Sequence, residues 1–306
     1  MELNELRMFE AVYRCGSFSE AANQLFVSQP TASATIKKLE ENLGTKVFVR
    51  LSGGLKLTEA GEILLSYSQK ILSLVDDSRR AIVENKTLHG NKLRIGASSI
   101  PGTYYLPKLL AQYRRDSSNV EINLKVGTSE GIRDLVLGGE LDLGIIGYEY
   151  AHNKSQVVYE HLWTDPLSLI LPLKHPLAHS DYINYQSIAH QKFIIGEAGS
   201  SIRKVVEDSF RREGIPLDIV MECKTVEGIL VAVSNQLGIS IVPQRVLNLN
   251  ANNLVLHREI SEMNTLARFG IIYQQDKELN QATHTFRRFL KRHVEKFTKI
   301  SMERAG

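Results

Sequence analysis

At Gly90 the hydrophobic pattern of this chain changes period, and that change constrains the fold more than any other feature. Before it, apolar residues recur at helical spacing; after it, short apolar runs alternate with helical stretches. Leu3, Leu6, Phe9, Val12 and Tyr13 form a first helical stripe, which Gly16 ends. Ser17-Phe-Ser-Glu20 has capping-box spacing and opens a second helix with Ala21, Ala22 and Leu25 inside. Ser28 caps a third, with Pro30 tolerated in its first turn. There Ala32, Ile36, Leu39 and Leu43 point inward, and Gly44 closes the helix. Val47-Phe-Val-Arg50 and Leu55-Lys-Leu57 read as two short strands joined by Ser52-Gly53-Gly54, a small β-wing.

From Thr58 to about Thr87 no proline occurs, and Leu64, Tyr67, Ile71, Leu74/Val75 and Ile82 recur near every 3.5 residues, with Ser68 and Ser78 interrupting. This predicts one helix of roughly 45 Å, at about 1.5 Å per residue, whose seam calls for a partner helix, the alternative being a helix packed on its own domain. Beyond Gly90, strands are expected around residues 93–97, 120–126, 141–146, 193–195, 219–222 and 239–242. Helices are expected around 104–115, 130–137, 202–213 and 226–235. Such alternation predicts parallel sheets covered by helices. Two groups of elements, joined through residues 157–173 and 266–273, predict two lobes with a cleft between them.

Composition excludes several classes. The chain has 306 residues, and no apolar run approaches the 18 or so that a membrane span requires. No basic segment leads into an apolar one at the amino terminus, so no secretion signal is read and a cytoplasmic location is expected. Cys15 and Cys223 stand far apart, without metal-ligand spacing, which excludes a disulfide framework. The net charge of +3 resides in the tail: residues 1–60 are neutral, and residues 285–306 hold seven Lys/Arg against two Asp/Glu. Phe286, Phe289, Leu290, Val294 and Phe297 make that tail an amphipathic helix with a solvated basic face.

Catalysis finds no support. No phosphate-binding glycine loop, dinucleotide fingerprint or nucleophile elbow is present. His175 and His179 have i, i+4 spacing, but Pro176 sits between them in a loop, so no metal site is expected. Neither metal nor cofactor is called for. By contrast, a tight turn leading into a capped helix beside a wing suits the major groove of DNA. With Ala32, Ile36 and Leu39 buried, the outer face carries Gln29, Ser33, Lys37 and Glu40, with Thr31 and Lys38 alongside. Gln29 and Ser33 suit base edges or phosphates, and Lys37 suits phosphates; Arg50 and Lys56 on the wing are further phosphate candidates.

Residues 3–57 resemble the winged helix-turn-helix of LysR-type transcriptional regulators. The resemblance rests on Leu6-Arg-Met-Phe9, Gly16-Ser-Phe-Ser-Glu-Ala-Ala22, Leu25-Phe-Val-Ser-Gln-Pro-Thr-Ala-Ser33, Ile36-Lys-Lys-Leu-Glu40, Leu43-Gly44, Val47-Phe-Val-Arg50 and Leu57-Thr-Glu-Ala-Gly61. It extends more loosely over the whole chain. It implies an α + α/β architecture: a winged helix-turn-helix domain at 1–58, a long linker (dimerisation) helix at 59–89, and a two-lobed α/β effector-binding domain at 90–306 resembling periplasmic solute-binding proteins. Lobe I would hold about 90–162 and 267–306, and lobe II about 163–266. Family members commonly carry a second basic residue in the wing where this chain has Gly53-Gly54, which leaves Arg50 and Lys56 to make the wing contacts.

The resemblance also implies a DNA-binding role for Ser28, Gln29, Pro30, Thr31 and Ser33, double-stranded promoter DNA as partner, and a homodimer or homotetramer. RNA polymerase is a further candidate partner, and a membrane is not one. In parallel α/β sheets ligands lie outside the carboxyl ends of strands. Four hydroxyl-rich strand-to-helix junctions lie there: Ser98-Ser99, Thr128-Ser129, Ser200-Ser201 and Thr225, with Arg203 able to add a charge. Of these, Ser99 and Thr128 match the family's effector contacts most closely. Helix amino termini and small side chains together suit a compact anion, with Tyr148 the one aromatic close by. The competing reading is an α/β solute-binding protein or enzyme with a helical leader that does not bind DNA.

Overall fold

The structure is a computed structural model that describes residues 1–51, 54–86, 92–117, 120–151, 156–249, 254–261, 263, 265–275, 277 and 279–303. The side chains of Arg50, Ile82 and Phe297 and the turn residues Ser52 and Gly53 lie outside the described residues. The chain divides into two compact units, one of Met1–Leu88 with Gly138–Glu140, the other formed by the rest.

In the first unit α1 (Leu3–Cys15) opens with the Glu2 amide donating to the Glu5 carboxylate at 2.8 Å and ends at Gly16, where φ is +64°. A left-handed residue at that position is least costly as glycine. The hydroxyl of Ser17 caps α2 (Phe18–Gln24), and that of Ser28 caps α3 (Gln29–Leu43), accepting from the Thr31 amide at 3.3 Å. Phe9, Val12, Ala21, Ala32, Leu39 and Val47 are buried together at their common centre. Leu3, Tyr13 and Leu43, expected inside, are exposed; three helices this short enclose a small core, and residues at the margins of each stripe fall outside it.

The wing is an antiparallel pair, β1 (Phe48–Leu51) and β2 (Gly54–Leu57). Helical spacing places Glu40 on the outer face of α3, but in the structure it is buried. Its carboxylate accepts from the amides of Val47 at 3.0 Å and Phe48 at 3.5 Å and pairs with Lys46 Nζ at 2.7 Å. Glu40 therefore holds the wing to α3 and does not face outward. Lys38 is likewise occupied, pairing with Glu2 at 3.6 Å and Glu5 at 3.4 Å and so bolting α3 to α1.

Helix α4 (Glu59–Lys86) follows. A Cβ at Gly61 would stand 2.2 Å from the Val47 carbonyl oxygen, so only glycine permits this approach of α4 to the wing. The expected seam turns out to serve two surfaces. Leu64, Ser68 and Leu72, four residues apart, are buried against the unit's own core, and Ile71 is half-buried on it. Ser68, which seemed to interrupt the pattern, is fully enclosed, its Oγ donating to the Leu65 carbonyl at 3.1 Å. Ile63, Tyr67 and Leu74 face away at 57%, 61% and 70% exposure. Placing Leu64 and Ile71 at a partner surface is thus corrected: packing on α1 claims that face first.

The second unit begins with β3 (Lys92–Ser98), a π-helical turn at Pro101–Tyr105, α5 (Leu106–Asp116), β4 (Glu121–Gly127), α6 (Ser129–Leu137), β5 (Leu143–Gly147) and the short α7 (Tyr148–Ala151). The 15-residue β6 (Val157–Leu171) leads on to α8 (Tyr185–Ile188), β7 (Lys192–Gly196), α9 (Ser201–Arg212), β8 (Asp218–Cys223), α10 (Val226–Ser234), β9 (Ser240–Pro243), α11 (Gln244–Leu249) and β10 (Leu256–Arg258). Finally β11 (Leu266–Gln274) and α12 (Gln281–Glu303) return to the first group.

Lobe I is the sheet β4-β3-β5-β11 extended by the first part of β6. Lobe II pairs the rest of β6 with β9 and β10, and joins β7 and β8 through a bridge between Phe193 and Ile239. The expected parallel pairing holds for β3, β4 and β5 and for β7 and β8, but the sheets are mixed. The two crossing strands, β6 and β11, run antiparallel to their neighbours, because one carries the chain out of lobe I and the other brings it back. Phe286, Phe289, Leu290 and Val294 of α12 are buried on lobe I. Burial would raise the Glu160 carboxyl on β6, but Arg287 and Lys291 outweigh it and hold it down at about 2. Part of the basic tail is thus tied to the fold.

Candidate functional site

Two surfaces carry the side chains singled out by sequence, one in each unit. In the first, the leading turn of α3 is the exposed end of the helix-turn-helix. Ser28, Gln29, Pro30 and Thr31 are all exposed, and Ser33 is half-buried behind them. The Ser28 hydroxyl meets that of Thr31 at 2.8 Å, and Gln29 Nε2 donates to Ser33 Oγ at 2.9 Å. These bonds link exposed groups, so each can be exchanged for a base edge or phosphate without uncovering the core. Lys37 is exposed and lies 3.7 Å from the Glu41 carboxylate; exposed pairs of this kind are worth only about 0.2–1 kcal/mol. Lys56 is exposed on the wing. The backbone of Arg50 belongs to β1, but its side chain lies outside the described residues.

In the second unit all four hydroxyl-bearing junctions line one cavity of about 50 Å³ between the lobes. One water needs roughly 10–15 Å³, so the space suits a few waters or a small polyatomic ion. The carboxyl ends of β3, β4, β7 and β9 form the rim, and Ile195, Val206, Ile241 and Phe269 are among its apolar walls. The lobes meet closely here. The Glu130 amide at the start of α6 donates to the Gly199 carbonyl at 3.2 Å, across from lobe I to lobe II. A Cβ at Gly147 would fall 2.1 Å from that of Ser201, so glycine is needed at this approach.

The hydroxyls around the cavity divide into occupied and open groups. Thr128 Oγ1 accepts from the Gly131 amide at 3.0 Å, and Thr225 Oγ1 from the Gly228 amide at 3.1 Å, so both serve as helix caps. Ser129 Oγ accepts from the Gly147 amide at 3.3 Å, and Ser99 Oγ donates to the Gly127 carbonyl at 3.3 Å. Ser98, only 6% exposed, has no hydrogen-bond partner for its Oγ among the described residues. Ser200 occupies the cap position of α9 without capping it through its side chain, so α9 meets the cavity with its leading amides uncapped. Ser201, just behind, is buried. Leaving a buried hydroxyl unpaired costs about 1–3 kcal/mol, which a ligand oxygen placed there would recover.

Arg203 does not line the cavity. Its guanidinium is held by Glu207 at 2.7 Å, Glu222 at 2.6 Å and the Gly196 carbonyl at 3.3 Å, bracing the ends of β7 and β8. Lys224, not singled out by sequence, is the one lysine or arginine among the lining residues, and Glu197 the one carboxylate. These formal charges cancel, so attraction for an anion comes from oriented amides and hydroxyls. The position of Lys224 directly before the Thr225 cap was the available signal. Cys223 also lines the cavity, and burial pushes its thiol up, away from the reactive thiolate.

Among the described residues no cluster of His, Cys, Asp and Glu could hold a metal ion, and no helix is long and apolar enough to cross a membrane. His175 accepts from the Leu177 amide at 3.2 Å and pairs with Gln191, a structural use of both ring nitrogens.

Comparison with known proteins places both units. Residues 3–62 match the family described as "Bacterial regulatory helix-turn-helix protein, lysR family", and residues 86–295 match "LysR substrate binding domain". A "Probable RuBisCO transcriptional regulator" of Porphyra purpurea is 34% identical over 289 residues, 93% of this chain and 91% of that protein. One from Synechocystis is 36% identical over 259 residues, 83% of this chain and 75% of that protein. Among solved structures, the regulatory domain of CcmR from Synechocystis PCC6803 in complex with 2-PG is 26% identical with a TM-score of 0.62, covering 67% of this chain and 97% of that one. HinK, a LysR family transcriptional regulator from Pseudomonas aeruginosa, shares the fold at 20% identity and a TM-score of 0.59 over 97% of this chain and 99% of that one.

Proposed function

The chain belongs to the LysR family of bacterial transcriptional regulators, and from that premise we propose that it is a promoter-binding regulator whose effector is a compact anion held between its two lobes. The observation that carries the effector reading is the cavity itself. A buried Ser98 hydroxyl without a partner among the described residues and the uncapped start of α9 share this space, and both call for the oxygens of a compact anion. One comparison supports the same class: the CcmR regulatory domain, solved with 2-PG. The ligand contacts are assigned to Ser98, Ser99, Thr128, Ser129, Ser200, Ser201, Lys224 and Thr225, and Arg203 is a brace beside them.

DNA contacts are assigned to Ser28, Gln29, Pro30, Thr31, Ser33 and Lys37 of α3, and to Arg50 and Lys56 of the wing. The protein acts in the cytoplasm as a homodimer or homotetramer, without catalysis, and RNA polymerase is its further partner. Effector binding changes lobe closure and through it the promoter complex. Gel-shift titration tests the DNA half of this reading. Gln29→Ala is expected to weaken binding to the specific promoter site by about 1–3 kcal/mol while leaving random DNA nearly unaffected, and Lys37→Ala to weaken both and flatten the salt dependence. Equal losses on specific and random DNA for Gln29→Ala would remove Gln29 from base reading.

A further inference from the structure

The crossing strand β6 carries a fully buried carboxylate at the point where it changes lobes. Asp165 pairs with Ala267 of β11, still in the lobe I sheet, while Leu167 already pairs with Pro243 of β9 in lobe II. Asp165 is 0% exposed. One of its oxygens accepts from the Tyr105 hydroxyl of lobe I at 3.0 Å. The other accepts from the Arg245 amide of lobe II at 3.2 Å, with Arg245 Nε 3.9 Å away. A carboxylate has room for about four donors, so the two found among the described residues leave it short of what water would give. Both elements it holds also border the cavity: Ile100 just before the π-helical turn of Tyr105, and Pro243 just before α11. Trp163, two residues earlier on β6, lies 4.9 Å from the Tyr105 ring and stacks at 5.1 Å on Phe269 of the cavity wall.

We propose that Asp165 is a positioning residue for the effector response: it ties Tyr105 of one lobe to Arg245 of the other in the arrangement that shuts the cavity, and opening of the lobes returns its carboxyl to water. The proposal rests on the effector reading above only for its ligand arm. Among the described residues, the charged and titratable groups facing Asp165 are Arg245 of α11 and Tyr105 of the π-helical turn. Burial pushes the carboxyl up to about 6, against the Arg245 amide, the Tyr105 hydroxyl and the Arg245 charge, which lower it. In water it returns to its ordinary value of 3.8. Closure therefore takes up a proton, is favoured at low pH, and loses that advantage as pH rises through about 6.

The full-length chain tests this with its single tryptophan. Without ligand, where ionisation of Asp165 opens the lobes, Trp163 emission is expected to show a transition between pH 3.8 and about 6 in the parent, to lose it in Asp165→Asn, and to shift it upward in Tyr105→Phe. His161, on the same strand and held below its ordinary value by burial and Arg268, is the control: His161→Gln should keep the transition. With sulfate as probe, a dianion throughout this range, affinity should tighten about fourfold from pH 8 to pH 5.5 in the parent. In Asp165→Asn it should be independent of pH and tighter than the parent at pH 8. A transition that survives in Asp165→Asn or vanishes in His161→Gln would overturn the assignment. Failure of the parent to bind any anion contradicts the effector reading instead, while the ligand-free titration still decides the role of Asp165.

Discussion

Glu40→Ala is expected to destabilise the winged helix-turn-helix unit by about 2–4 kcal/mol, a large loss for a residue on the helix that reads DNA. The amides of Val47 and Phe48 and the ammonium of Lys46 converge on this one buried carboxylate. Alanine leaves them without an acceptor and opens a space beneath the wing. Glu40→Gln keeps one acceptor oxygen and should lose less. Thermal melting of the full-length chain reads the stability of this unit, and gel-shift reads its consequence for DNA binding. An alanine variant that melts like the parent would show that the wing is held by other contacts.

The second large effect concerns α4. Ile63, Tyr67 and Leu74 form an apolar stripe that the chain's own core does not cover. If this stripe is the seam between copies, Leu74→Asp places an unpaired charge in it and should break the assembly. Sedimentation would show the smaller species. Affinity for a paired promoter site should fall on the order of 100-fold or more, because two linked reading heads become independent. Ile71→Asp should act differently, since Ile71 packs on the unit's own core: it lowers the melting temperature instead of releasing a folded smaller species. An unchanged assembly for Leu74→Asp would place the seam elsewhere.

Helix starts were legible from sequence because a cap is local: Ser17, Ser28 and Thr225 each bond an amide three residues on, whatever the rest of the chain does. The grouping of the hydroxyl-rich junctions was legible within each lobe, since the strand-to-helix turns after β3 and β4, and those after β7 and β8, open on the same side of their own sheet. Residues whose partner is distant in sequence were misread. Glu40 looks exposed by helical spacing, and only the returning wing buries it. The stripe on α4 contains more apolar residues than one surface uses, and spacing alone does not say which surface claims Leu64. Arg203 looks free for an anion until Glu222 on the neighbouring strand meets it at 2.6 Å. Asp165 gave no signal at all, because a single aspartate in an apolar strand reveals its role only where the strand changes lobes.

The most direct measurement is calorimetric titration of the full-length protein with 2-PG, set against an aromatic carboxylate, whose ring cannot use the hydroxyls and amides at the rim of the cavity. The account predicts that 2-PG binds at one site per chain and the aromatic acid does not. It also predicts that Ser98→Ala or Thr128→Val weakens 2-PG binding by about 1–3 kcal/mol. Binding of the aromatic acid alone, or binding of 2-PG that neither substitution weakens, would contradict it.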